Sequence, residues 1–249
     1  MTTPEGGLNY NTEDEPERAE YAGASSSLPE YSAAQPTYIH VPRSVLIPKR
    51  LFDIVFSALG IAVLALPILI IGIIIMLDSK GGMFFRQKRV GRYGREFLIF
   101  KLRTMRKDAD SIGNQLTLGN SDTRITKIGG ALRKLKIDEL PQLINILIGD
   151  MSFVGPRPEV PRYVKLYTDE QWQVLSVRPG ITGNASIMYC DESELLGAAD
   201  DPESLYVDEI LPKKAILGIE YIRNMSLLLD IKLLFKTFSC LFCRKAPRS

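Results

Sequence analysis

The chain has 249 residues, a net charge of +2, 45% hydrophobic residues and three cysteines. These values are typical of one globular domain, and they exclude a collagen-like chain, a polytopic membrane protein and a disulfide scaffold. The single histidine, His40, argues against a His-rich zinc site or a serine triad.

Charge is unevenly distributed along the chain. Residues 1–45 are rich in Pro, Glu, Ser, Ala and Gly. They predict a disordered acidic tail, because too little apolar surface is available to offset the ordering entropy. Residues 80–107 contain ten basic residues and one acidic residue. Such a segment attracts phosphates, nucleotides or an anionic membrane surface.

An uncharged run of 24 residues covers positions 54–77, which is long enough to cross a bilayer. Basic residues flank both ends, and the positive-inside rule would place both ends in the cytosol. Pro67 lies near the middle and favours a kink. These features predict a re-entrant membrane hairpin over residues 46–80 with its hinge at Pro67. An ordinary single span, with the tail outside, also fits the apolar run.

The remainder predicts a mostly helical α+β domain. Short apolar runs at 83–85 and 97–100, separated by glycines, predict a β-hairpin. Apolar residues at helical spacing predict helices over 128–135 and 140–147.

The last predicted helix, 227–242, has a broad apolar face opposite two lysines. It either packs in the core or lies in the membrane interface as an amphipathic helix. Cys240 and Cys243 form a lone C-x-x-C without a second pair, which favours packing or lipid contact over a zinc site. Residues 244–249 form a short basic tail.

The most informative local feature is the pair Asp138-Glu139, followed by Leu140 and Pro141. Since proline is tolerated in the first turn of a helix, the pattern places Asp138 near an N-cap. Two adjacent carboxylates there suit a metal ligand beside a nucleophile. An acidic capping pair without chemistry fits the same spacing.

Several basic residues are candidates for phosphate binding. Arg157 lies between two prolines, so its backbone is constrained. Its guanidinium can bind phosphate oxygens in a bidentate manner, or form a salt bridge within its loop. Arg86, Lys101 and Arg103 belong to the basic segment, where substrate-facing or membrane-facing charge and simple solvated charge are both expected.

Six motifs occur in a specific order: KRLFD (49–53), FFRQKRVG (84–91), KLRTM (101–105), IDELPQLIN (137–145), GDMSFVGPRP (149–158) and RPGITG (178–183). In this order they resemble the bacterial sugar transferase family, the monotopic polyprenyl-phosphate phosphoglycosyl transferases. The resemblance covers about residues 46–240. The run at 184–189 departs from the family's commoner Gln and Gly-Arg pattern, and the sugar is not specified by these motifs.

The resemblance implies a membrane helix broken at Pro67 and a cytosolic catalytic domain over residues 81–243, held monotopically at the inner membrane. It implies Asp138 as the nucleophile, Glu139 as the Mg²⁺ ligand, and Arg133 and Arg157 as phosphate ligands. Asp138 would attack the sugar-linked phosphate of a UDP-sugar and release UMP. A polyprenyl phosphate, such as undecaprenyl phosphate, would then take the phosphosugar and begin synthesis of a glycan or exopolysaccharide.

The implied partners are the UDP-sugar, the polyprenyl phosphate, membrane lipids and either a second copy or glycan-assembly proteins. An inactive membrane-anchored scaffold of a glycan-assembly complex is the alternative from another class. Nucleic-acid binding is disfavoured, because the basic segment lacks aromatic residues interleaved for base stacking.

Overall fold

The computed structural model describes residues 37–106, 109, 116–119 and 122–242. Most of the predicted tail, Cys243 and the basic C-terminal segment 244–249 therefore lie outside the described residues. Within them the chain is mostly helical, with small sheets of two strands. This confirms the predicted α+β class in its coarser form.

The first helix, α1, spans Arg43–Asp78 and includes Pro48 and Pro67. It is long and apolar enough to cross a membrane, and only 11% of its most apolar window is buried in the protein. Since a core helix of a soluble protein would be mostly covered, this exposure indicates membrane association. The structure joins the two expected arms in one helix at Pro67, without a loop between them.

Polar contacts attach the beginning of α1 to the rest of the protein. The ammonium of Lys49 donates hydrogen bonds to Asp230 Oδ2 at 2.6 Å and to the carbonyl of Val154 at 2.8 Å. One turn later, Asp53 accepts from the hydroxyl of Ser152 at 3.1 Å. These groups are buried, so breaking the contacts would leave unpaired polar atoms in the interior.

A second attachment holds the end of α1. The guanidinium of Arg103 donates to the carbonyls of Ser79 at 2.7 Å and Ile75 at 3.2 Å, and also to that of Lys80. A cation at this position complements the negative end of the helix dipole and binds carbonyls in and just beyond the last turn. Both ends of α1 are thus bonded to the same body.

An antiparallel hairpin follows α1 and confirms the predicted pair of strands. Strand β1, Phe84–Val90, pairs with β2, Glu96–Leu102. Between them Tyr93 adopts a φ of 58°, which belongs to the left-handed region that tight turns use.

The central part carries the two predicted helices and a small parallel sheet. Helix α2 spans Lys127–Lys134, and α3 spans Gln142–Ile148. Strand β3, Ser152–Val154, pairs in parallel with β4, Gly180–Thr182. Short helical turns fill the connection between these strands, namely α4 at Pro161–Val164 and a 3₁₀ turn at Gln171–Ser176.

The C-terminal part is a series of helices. They are α5 at Asn184–Met188, α6 at Glu192–Gly197, α7 at Pro202–Ser204, a π-helical segment at Leu205–Ile210, α8 at Leu211–Arg223 and α9 at Leu227–Phe242.

Helix α9 presents two different faces. Leu233 and Asp230 are buried, whereas Leu228 and Phe235 are largely exposed. The buried face confirms packing in the core, and the exposed apolar face leaves the membrane-interface interpretation a prediction. Near its end, the thiol of Cys240 lies within hydrogen-bonding reach of Cys190, so Cys240 packs against another part of the protein.

Candidate active site

Asp138 and Glu139 lie in a 3₁₀ turn, Ile137–Glu139, immediately before α3. Lys136, with a φ of 57°, ends the preceding chain segment in a left-handed conformation. The N-cap position of α3 is occupied by Pro141, so Asp138 stands one turn earlier than the sequence pattern predicted. The left-handed conformation of Lys136 explains this shift. It separates the chain from α2, so that a 3₁₀ turn with Asp138 forms before α3 begins.

Glu139 is buried and bound by two cations. Its Oε1 accepts hydrogen bonds from Lys101 Nζ at 2.8 Å and from Arg157 Nη2 at 2.6 Å. Burial raises the pKa of Glu139, but the charges of Arg157 and Lys101 outweigh burial and hold that pKa well below its usual range. Glu139 is therefore an ionised carboxylate.

Asp138 has a different environment, although it is adjacent in sequence. Its Oδ1 is buried and has no hydrogen-bond partner in the structure. Burial raises the pKa of Asp138, and the charge of Lys101 only partly opposes that effect. A buried carboxylate oxygen without a partner costs free energy. It is the arrangement expected of a group that meets a ligand or forms a bond.

Arg133 approaches the site from α2. Its guanidinium donates to Thr117 Oγ1 at 2.9 Å and to Thr104 Oγ1 at 3.5 Å. Burial lowers its pKa, and the negative charge of Asp138 counteracts that effect. Arg133 therefore stands beside Asp138, while Arg157 stands beside Glu139.

The three basic-segment candidates occupy different places. Lys101 belongs to the site through Glu139. Arg86 is exposed and stacks over the ring of Phe100, with 5.1 Å from its guanidinium carbon to the ring centroid. Arg86 pairs across the hairpin with Phe100, and Lys101 is the next residue of that strand. Because successive residues of a strand point to opposite faces, Arg86 projects from the face of the sheet opposite to Lys101. Arg103 holds the end of α1 and is not part of this cluster.

A buried network beside Arg157 was not predicted from the sequence. Lys214 Nζ, on α8, lies 2.8 Å from Glu159 Oε1 and 3.1 Å from Glu192 Oε2, and it donates to the hydroxyl of Tyr206 at 3.0 Å. Burial lowers the pKa of Lys214, but the two carboxylates outweigh burial and raise it. The sole sequence signal was that Glu159 follows the Pro-Arg-Pro segment, because the other partners come from distant segments.

The paired carboxylates of Asp138 and Glu139 have the chemistry of ligands for a divalent metal. Among the described residues, no three His, Cys, Asp or Glu side chains are grouped closely enough to hold an ion. Magnesium, however, is usually bound by one or two carboxylates together with substrate phosphates. Asp138 and Glu139 fit that arrangement, since they are adjacent and Asp138 has a free buried oxygen.

Comparison with known proteins identifies similar sequences. The family model described as bacterial sugar transferase matches residues 44–244. A relative from Bacillus subtilis, "Uncharacterized sugar transferase EpsL", is 38% identical over 80% of this chain and 87% of its own length. A "UDP-glucose:undecaprenyl-phosphate glucose-1-phosphate transferase" from Caulobacter vibrioides is 36% identical over 79% of this chain and 71% of its own length.

Some relatives are considerably longer. An "Undecaprenyl-phosphate glucose phosphotransferase" from Komagataeibacter xylinus is 37% identical over 77% of this chain, but the match covers only 35% of that protein. The family-model match, residues 44–244, contains the candidate site and most of α1.

Proposed function

The chain belongs to the bacterial sugar transferase family, and we propose that it transfers a sugar 1-phosphate from a UDP-sugar to undecaprenyl phosphate, which begins glycan or exopolysaccharide synthesis. The main support is the partnerless, buried Oδ1 of Asp138, on which the charges of Lys101 and Arg133 act, next to Glu139, which Arg157 binds. Relatives whose names specify transfer to undecaprenyl phosphate add to this support.

The proposed reaction has two displacements at one phosphorus atom. A carboxylate oxygen of Asp138 forms a bond to the sugar-linked phosphorus, the bond to the bridging oxygen breaks, and UMP leaves with that electron pair. A phosphate oxygen of undecaprenyl phosphate then attacks the same phosphorus and releases the Asp138 carboxylate. A covalent intermediate lets the lipid acceptor enter after the soluble nucleotide has left.

Cationic side chains provide the electrostatic part of the mechanism. Arg133 and Arg157 would bind the diphosphate oxygens and stabilise the charge that develops during transfer. We propose Glu139, with Asp138 beside it, as the Mg²⁺ ligand; the bound ion neutralises further charge on the diphosphate. Lys101 keeps Glu139 ionised and favours the ionised, nucleophilic form of Asp138.

We further propose that α1 is a re-entrant membrane hairpin with its hinge at Pro67, and that the catalytic domain lies at the cytosolic face of the inner membrane. This is supported by the attachment of both helix ends to the same body, through Lys49 and Arg103. Pro67 lacks the N–H that would continue the helix hydrogen bonds, which makes its position a weak point near the middle of the apolar run.

The function is tested with purified full-length protein, Mg²⁺, undecaprenyl phosphate and a panel of UDP-sugars. We expect UMP release with at least one donor, and donor-derived label on the protein when the lipid acceptor is omitted. Asp138→Asn should lose activity on the order of 10³-fold or more, because the amide is a poor nucleophile. Its thermal midpoint and membrane binding should be retained.

Asp169→Asn is the matched control, because Asp169 is exposed and distant in sequence from the site. Wild-type turnover by Asp138→Asn would contradict the mechanism. Failure of the wild-type protein to release UMP from any donor would favour the inactive-scaffold alternative, against which the assembled cluster of Asp138, Glu139 and Arg157 argues.

A further inference from the structure

Glu192 is the solvent-accessible residue of the buried Lys214 network beside the candidate site. Its side chain is 28% exposed, whereas the side chains of Lys214 and Glu159 are 9% and 7% exposed. Lys214 contacts one oxygen of Glu192, Oε2, at 3.1 Å. Glu192 is therefore a fixed carboxylate with a solvent-accessible side, held on a cation that stays charged.

The surroundings place Glu192 at the wall of the site. Its negative charge acts on the guanidinium of Arg157, alongside the larger effect of Glu139. The next residue, Ser193, packs its backbone against Gly119, where an added Cβ would come within 3.3 Å of the Ser193 carbonyl oxygen. Thr117, two residues before Gly119, is the partner of Arg133. Helix α6 thus lies against the segment that carries the partner of Arg133, and its Glu192 acts electrostatically on Arg157.

The chemistry of the donor suggests what such a carboxylate contacts. When the diphosphate lies between Arg133 and Arg157, the attached sugar extends only a few ångströms further. The sugar presents hydroxyl donors, and an ionised carboxylate is a strong acceptor for them.

We propose that Glu192 accepts a hydrogen bond from a sugar hydroxyl of the donor and so determines which sugar is transferred. This inference rests on the function proposed above. Loss of a hydrogen bond to a charged group typically reduces specificity for the correct substrate by roughly 10- to 100-fold.

The test compares wild-type protein, Glu192→Gln and the control Glu194→Gln, which changes an exposed acid of the same helix. Donors are the best UDP-sugar for the wild type, its 3-, 4- and 6-deoxy analogues, and its 2′-deoxyuridine analogue. Release of the nucleoside monophosphate, which is UMP for the uridine donors and dUMP for the 2′-deoxyuridine analogue, gives kcat/KM for each donor. For wild-type protein, we expect kcat/KM to be roughly 10- to 100-fold lower with one deoxy-sugar donor than with the parent donor. For Glu192→Gln, the same change of donor should lower kcat/KM less than about threefold. Glu194→Gln should keep the wild-type pattern.

Two results would overturn the inference. The first is that Glu192→Gln leaves the ratios of kcat/KM between donors as they are in the wild type, and a common fall of every value would then indicate a structural effect through Lys214. The second is that the ratio changes for the 2′-deoxyuridine analogue instead of a deoxy-sugar, which would assign Glu192 to the nucleoside. An absence of UMP release from every donor with wild-type protein contradicts the proposed function itself, and this inference with it.

Discussion

At the scale of single residues, the site separates two adjacent carboxyl groups by their surroundings. Burial dominates at Asp138 and raises its pKa, whereas Arg157 and Lys101 overcome burial at Glu139 and lower its pKa. Such a divergence is a common way to give two neighbouring acids different roles. The group with the raised pKa is also the one with an unpartnered oxygen, as a nucleophile requires.

The protonation of Asp138 predicts the pH dependence of activity. Only the ionised carboxylate attacks, so kcat/KM should fall as the pH drops through the raised pKa of Asp138, and the acid limb should lie above that of an ordinary aspartate. Lys101→Met removes a charge that lowers the pKa of Asp138, and should move the limb to higher pH. The control is Lys88→Met, at an exposed position of β1. An identical limb in Lys101→Met and wild-type protein would contradict the assignment.

The buried ion network predicts a stability effect. Lys214→Met removes the cation that is hydrogen-bonded to buried Glu159, and breaking a buried ion pair typically costs about 3–5 kcal/mol. The pKa of Glu159 is lowered in the folded protein, by Lys214 and Arg89 against the effect of burial. The pairing therefore stabilises the fold above the unfolded pKa, and this contribution is lost as the pH falls through the folded pKa.

The thermal midpoint measured against pH checks this prediction. The deficit of Lys214→Met should be largest at neutral pH and should shrink in acid. Lys213→Met, on the neighbouring exposed position, should change the midpoint little. A deficit independent of pH would indicate lost packing instead of lost pairing.

At the scale of elements, helix α2 positions Arg133 by a close approach of backbones. Thr126 caps the helix by accepting from the N–H of Gly129 at 3.0 Å. The Cα of Gly129 lies directly against the backbone of Thr104, so an added methyl would overlap that carbonyl. The same residue, Thr104, also offers its hydroxyl to Arg133. The glycine thus determines how near the arginine comes to the site.

Adjacent glycines provide a matched test of this packing. Gly129→Ala should destabilise the protein by about 1–3 kcal/mol through overpacking and reduce kcat/KM by displacing Arg133. Gly130→Ala meets no atom closer than 4.0 Å and should be neutral or stabilising by up to about 1 kcal/mol through helix propensity. Thermal unfolding and UMP release distinguish them, and equal behaviour of the two variants would contradict the close approach.

At the scale of the whole molecule, the apolar helix α1 is attached to the rest of the protein at both ends. Lys49 contacts Asp230 near the beginning of α1, and Arg103 contacts Ile75 and Ser79 near its end. A helix that crossed the membrane once would need its ends on opposite sides, where one body cannot bond to both. The arrangement is compatible with a helix that enters and leaves on one face.

Cysteine accessibility tests the topology. Ser44→Cys and Gly82→Cys, each in a protein without native cysteines, should react with a membrane-impermeant maleimide from the same side. Both sites are exposed beyond the ends of the apolar run. Leu66→Cys is the control, since it should be shielded in lipid until detergent is added. Labelling of positions 44 and 82 from opposite sides would contradict the hairpin.

Short-range patterns in the sequence predicted the helices and strands better than they predicted the side-chain contacts. Apolar spacing identified the hairpin and helices α2 and α3, because periodicity reflects which face is buried. The basic residues could not be divided by the same means, since Lys101 and Arg103 are two positions apart but bind a carboxylate and a helix end. The Lys214 network joins residues separated by up to 55 positions, and no local pattern encodes such pairing.

The contact between Lys49 and Asp230 also constrains the order of folding during synthesis. The two residues are 181 positions apart, and Asp230 lies on α9, near the end of the chain. Helix α1 therefore leaves the ribosome long before the partner of Lys49 has been made. Until then water solvates that ammonium better than lipid does, which would hold the start of a membrane-inserted helix at the surface of the bilayer. Docking of α9 is thus a late step that fixes the position of α1.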